Sequence, residues 1–115
     1  MATDTRLLKT KKPTPLSTRA LAAYLTWKQF DLLLLLNLDG TATTSQLSDD
    51  LEDIKAYDVK HGGAFYAGVG YSSVYSCLRT MEDRQLVNRH IERNGLISWS
   101  ISPRGVKAID WLEKN

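Results

Sequence analysis

Ser72-Ser73-Val74-Tyr75-Ser76-Cys77-Leu78-Arg79-Thr80-Met81-Glu82-Asp83-Arg84-Gln85 is the stretch on which the fold turns. Val74, Cys77, Leu78 and Met81 recur at the steps of three and four that place side chains on one side of an α-helix, so they form a core stripe. Ser72, Ser73, Tyr75, Ser76, Arg79 and Thr80 fall largely on the remaining arc, with no carboxylate until Glu82 and Asp83. Short hydroxyls and a long cation suit phosphate oxygens and base edges. An ordinary amphipathic surface helix would show the same stripe. Tyr75 can lie on the outward arc, its hydroxyl near a phosphate, or roll inward as core. Cys77 reads as a small core residue.

Downstream of this helix, which Ser72 is expected to cap, the period changes. Val87, Arg89 and Ile91 alternate with Asn88, His90 and Glu92; Ile97, Trp99 and Ile101 alternate with Ser98 and Ser100. This is a β-hairpin pattern around Arg93-Asn94-Gly95. A two-residue Asn-Gly turn would pair Ile91 with Ser98 and mix apolar with polar side chains on both faces. A three-residue loop with left-handed Gly95 pairs Ile91 with Ile97, Arg89 with Trp99 and Val87 with Ile101, which is the preferred register. Arg93 and Asn94 then stand at the tip, and a guanidinium of Arg89 over the Trp99 indole is plausible. Ser102-Pro103 opens a last helix to about Lys114, in which Ala108, Trp111 and Leu112 form a broad second apolar line.

Upstream, Thr26/Gln29 and Thr43/Gln46 have capping-box spacing. The first box opens a helix to about Asn37, ended by Asp39-Gly40. Its five consecutive leucines, Leu32 to Leu36, cover every direction, so it must be buried on more than one side, either in the core or against another chain. The second opens a helix through Leu47, Leu51 and Ile54 to about Lys55. Asp49, Asp50, Glu52 and Asp53 read as its solvated face, since successive helical acids point apart. Ala56 to Gly70 reads as an ordered glycine-aromatic loop, and no Gly-Lys-Ser/Thr follows to make it a phosphate-cradling loop. Lys60 and His61 could touch a phosphate from there.

The 115 residues suit one domain with a modest core. Net charge is only +2, but Arg6, Lys9, Lys11, Lys12, Arg19 and Lys28 stand against Asp4 in the first 28 residues, which leaves the rest of the chain at −3. Residues 1–16, rich in lysine, threonine and proline, are expected to form a mobile basic arm, and residues 17–115 the folded domain, beginning with a short helix around Leu21 and Leu25. The single cysteine excludes an intrachain disulfide and a thiolate zinc site from one chain, and His61 and His90 lack ligand partners. No metal or cofactor is expected. The Leu32 to Leu36 run is far shorter than the ~20 apolar residues of a membrane span. A soluble, reducing, cytoplasmic setting fits. No nucleophile-base pair or acid-base pair has catalytic spacing, so an enzyme is not expected.

The expected fold is mainly α with a β-hairpin (α+β): helix, short extended link, helix, loop, helix, hairpin, helix, the plan of a winged helix-turn-helix. Gly62-Gly63-Ala64-Phe65, then Ser72 to Val87, then Ile101-Ser102-Pro103-Arg104-Gly105 resemble the PadR group of winged-helix transcription regulators over roughly residues 26 to 114. In this chain Ser72 and Gln85 stand where the group usually has glycine, its Gly-Tyr-Glu pattern is absent from Thr44 to Leu51, and no long effector segment follows Trp111. The resemblance implies a homodimeric, repressor-like DNA-binding protein with Ser73, Tyr75 and Arg79 facing double-stranded DNA. Ser72, Ser76, Thr80, Arg93, Asn94 and Lys60 complete the expected contact set, and Leu21, Leu33, Leu36, Ala108, Trp111 and Leu112 the expected dimer contacts. Some small PadR-like proteins serve plasmid or phage DNA, including segregation complexes, so that role or an architectural one stays open. So does a winged-helix adaptor that binds protein instead of DNA, which the acidic second helix would suit.

Overall fold

The computed structural model describes residues 25–114; the expected basic arm, the short helix before Leu25 and the dimer contact at Leu21 lie outside them. The elements run α1 (Trp27–Asp39), β1 (Thr41–Thr43), α2 (Thr44–Lys60), α3 (Tyr71–Asp83), β2 (Val87–Ile91), β3 (Ile97–Ile101) and α4 (Pro103–Lys114). Both capping boxes form. Thr26 Oγ1 accepts from the Gln29 amide at 3.1 Å while Gln29 Oε1 accepts from the Thr26 amide at 3.0 Å. The Thr43 and Gln46 pair repeats this at 3.2 and 2.8 Å. Each box satisfies helix-end amides that would otherwise lack a partner.

The extended link between α1 and α2 is β1, which joins the hairpin in an antiparallel sheet of order β1-β3-β2. Ala42 pairs with Trp99, and the hairpin takes the register that gathers apolar side chains: Val87 with Ile101, Arg89 with Trp99, Ile91 with Ile97. At its tip Gly95 has φ +84°, Glu92 N–H donates to Leu96 O at 2.8 Å, and Asn94 Oδ1 accepts from the Leu96 amide at 3.0 Å. These bonds fix a three-residue loop.

Trp99 is fully buried at the centre of the sheet, and its Nε1–H donates to Thr44 Oγ1 at 2.9 Å. Around it lie Leu32, Leu33 and Leu36 of α1, Leu47 and Leu51 of α2, Val74, Leu78 and Met81 of α3, and Ala108 and Ile109 of α4. The leucine run is enclosed on several sides, as five consecutive leucines require. This burial corrects the dimer set: Leu33, Leu36 and Ala108 have no surface left within their own subunit, so they cannot touch a second copy. Trp111 and Leu112 are half-buried.

Four boundaries also differ from expectation, the first being α1, which runs to Asp39 rather than to about Asn37. α2 continues past Lys55 to Lys60, where the His61 ring stacks on Tyr57 at 3.9 Å and the His61 amide donates to Tyr57 O. The loop is therefore shorter, residues 61–70. α3 begins at Tyr71 with Gly70 as its N-cap; the Gly70 carbonyl already accepts from Val74, which puts Ser72 inside the first turn rather than at the cap. At its other end α3 stops at Asp83, two residues short of Gln85.

Candidate nucleic-acid interface

The loop before α3 is tied down on both sides, and this sets where the helix starts. Tyr66 Oη–H donates to Asp31 Oδ2 of α1 at 2.6 Å, and Ser48 Oγ–H of α2 donates to Val69 O at 2.6 Å. Burial, then the bond to Asp31, pushes the Tyr66 phenol up, so it stays a neutral donor. At Gly68, φ is +80° and a β-carbon would stand 3.1 Å from Lys28 Nζ and 3.3 Å from Ser73 Cβ. Glycine at that turn lets α1 and α3 come together.

Along α3, Val74, Leu78 and Met81 are buried and Cys77 half-buried, while Ser72, Ser73, Ser76, Arg79 and Thr80 are exposed. Ser72, Ser73, Ser76, Cys77 and Thr80 line a shallow open groove whose other wall is Lys28. Burial raises the Cys77 thiol, which favours its protonated form. Lys28 Nζ reaches the Ser73 carbonyl at 3.4 Å. From the sequence Lys28 counts only among the basic residues of the first 28, because nothing local connects it to residue 73.

Tyr75 takes a position between the two that its spacing allowed. It is half-buried, with its ring edge-on to Trp99 at 5.9 Å and parallel to Tyr71 at 6.4 Å, yet its hydroxyl reaches the surface and accepts from Arg79 Nη1 at 3.3 Å. That bond, ahead of partial burial, which acts the other way, draws the phenol below the usual tyrosine range. The cation-over-ring contact belongs to this pair, with Arg79 Cζ 5.9 Å from the Tyr75 centroid. Arg89, expected over Trp99, instead directs Nε to Glu82 Oε2 at 3.4 Å. Glu82 Oε1 also pairs with Arg79 Nε at 3.1 Å. A carboxylate at the end of α3 thus links that helix to β2, the first strand of the wing.

Arg93 and Asn94 are exposed at the wing tip, although the Asn94 carbonyl oxygen is used by the turn. Lys60 is exposed in the last turn of α2. Among the described residues no cluster of His, Cys, Asp and Glu could hold a metal ion, and no helix is long and apolar enough to cross a membrane.

No protein-family model matches the chain, and no curated protein matches its sequence. Solved structures match its fold. hsRosR-S4, determined in a complex, superposes with a TM-score of 0.64 at 18% identity, over 85% of this chain and 76% of its own. A ZitR mutant from Lactococcus lactis gives 0.57 at 16%, over 78% of this chain and 51% of its own, so the chain spans about half of ZitR. A transcriptional regulator from Clostridium thermocellum, Cth-833, gives 0.55 at 17%, over 86% and 85%. What is shared at these identities is the fold alone, which among the described residues is four helices and a three-stranded antiparallel sheet in a winged-helix arrangement.

Proposed function

We propose that this protein binds double-stranded DNA with sequence specificity, as a homodimeric PadR-like transcriptional regulator acting as a repressor. The main support is the open side of α3, where Ser72, Ser73, Ser76, Arg79 and Thr80 face solvent and Glu82 pairs with Arg79 at its C-terminal end. In this reading α3 enters the major groove. There the hydroxyls and Arg79 meet base edges, and Lys28 and Lys60 meet phosphates. The Tyr75 hydroxyl serves at the edge of that surface. Arg93 and Asn94 carry the wing onto the adjacent backbone or minor groove. A fold shared with a transcriptional regulator is consistent with this use. Dimer contacts narrow to Trp111 and Leu112 of α4, and two half-sites about 34 to 36 Å apart would engage one dimer.

The test begins by selecting bound sequences from a random duplex pool, then following fluorescence anisotropy of the selected duplex as salt is raised. Affinity should fall linearly on a log-log plot, and Arg79→Ala or Arg93→Ala should each flatten the slope by up to about one. Flat anisotropy at micromolar protein and low salt would remove the DNA reading. The acidic side of α2 would then favour a protein-binding adaptor: Asp49, Glu52 and Asp53 are exposed, and the Asp50 carboxyl is raised by partial burial and by Asp39, Asp53 and Asp49.

A further inference from the structure

The acid at the end of α3 occupies an unexpected place for a surface meant to meet a polyanion. Glu82 takes Arg79 Nε on one carboxylate oxygen, at 3.1 Å, and Arg89 Nε on the other, at 3.4 Å. Both cations belong to the side of the molecule formed by α3 and the wing, and Arg79 is further held by the Tyr75 hydroxyl at 3.3 Å. The side chains of Arg79, Glu82 and Arg89 are 45%, 28% and 28% exposed, so all three can be reached from solvent and their pairing can be exchanged for another anion. From this arrangement we infer that Glu82 is a specificity-determining residue. Its carboxylate competes with DNA phosphate for Arg79 and Arg89, and it suppresses binding to duplexes that offer charge alone.

The competition is selective because the two classes of duplex offer different things. A mixed-sequence duplex presents phosphates, and to use either arginine it must displace a carboxylate already in place while enduring its repulsion. A matched duplex instead takes base-edge contacts from Ser73, Ser76 and the outer nitrogens of Arg79, whose Nε stays on Glu82, so less of that pairing has to be given up. Specificity is a difference between two affinities, and a carboxylate that one duplex must displace and the other can leave in place widens that difference. Removing the charge while keeping the side-chain shape should therefore cost discrimination rather than binding.

This inference rests on the DNA-binding reading above, and one set of titrations separates the two. Wild type, Glu82→Gln and Glu82→Ala, each checked for native circular dichroism, are titrated with a mixed-sequence duplex and with the selected duplex across a range of salt. Glu82→Gln should bind the mixed duplex about ten-fold tighter, with a salt slope steeper by about 1 to 2 as the two arginines become available to phosphate. The selected duplex should gain distinctly less, and Glu82→Ala should move both in the same direction. An equal gain on both duplexes, no gain, or a loss of affinity on the mixed duplex would overturn the role of Glu82 while leaving wild-type binding intact. Wild type that binds neither duplex would instead overturn the DNA reading, and this inference with it.

Discussion

Gln85 shows how one residue can be out of keeping with its backbone. It is the sole non-glycine at positive φ among the described residues, at +64°. Its amide donates to Glu82 O at 2.9 Å and the next, Leu86, to Met81 O at 3.0 Å, with Met81 and Leu86 both fully buried. That pair of bonds and the apolar contact make a Schellman end to α3, whose left-handed position normally holds glycine. A left-handed L-residue costs roughly 1–2 kcal/mol, and glycine's extra freedom when unfolded returns ~0.4–1 kcal/mol of that. We expect Gln85→Gly to stabilise the fold by about 0.5–1 kcal/mol in urea unfolding; a loss of stability would show that the Gln85 side chain matters more than its backbone. The tyrosines give a pH test. Tyr66, raised by burial and by Asp31, contributes stability that is fully present below the unfolded tyrosine value of about 10 and is lost as pH climbs beyond it toward the folded value. Stability measured across that alkaline range should fall less steeply in Tyr66→Phe. Tyr75 is lowered, so Tyr75→Phe should remove an early part of the tyrosinate absorbance titration. Neither shift was legible in the sequence, because each depends on a contact that only the folded chain creates.

At the level of elements, what was legible followed from local rules. Two capping boxes, a serine-proline helix start and a hairpin register set by side-chain alternation all depend on neighbours within a few residues, and all formed as read. Element ends that depend on distant partners were less accessible. The start of α3 at Tyr71 rather than Ser72 follows the tethering of the preceding loop to α1 and α2, which periodicity does not encode. The pairing of β1 with β3 was likewise hidden, since three residues carry no period. The packing of α4 supplies a sharp test. A β-carbon at Gly105 would collide with the Leu86 carbonyl and stand 2.7 Å from Ile101 Cγ1. Because the first of these is backbone, Gly105→Ala should destabilise by about 1–3 kcal/mol, read as a lower urea midpoint. The contact between α2 and the sheet is tested by Thr44→Val, which leaves the Trp99 indole N–H buried without its acceptor and should cost ~1–3 kcal/mol. A near-neutral result would mean that another acceptor replaces Thr44.

For the whole molecule, the proposed dimer places its contacts on α4. Trp111→Ala should shift the protein toward monomer in sedimentation, and an unchanged dimer mass would take α4 out of the interface. The sequence suggested two-sided burial for both α1 and α4, but it could not say whether the second side was filled by the same chain or by another; for Leu33, Leu36 and Ala108 the same chain fills it. The pairing of Thr41 with Ser100 has a further consequence, because it brings together two points near opposite ends of the described fold. During synthesis on the ribosome, β1 emerges early and must wait for β3, so α2 and α3 are translated before the strand that locks them exists. A nascent chain halted before Ile97 should therefore remain open to protease around Trp27 to Lys60, and protection should arrive abruptly once Ile101 has cleared the exit tunnel.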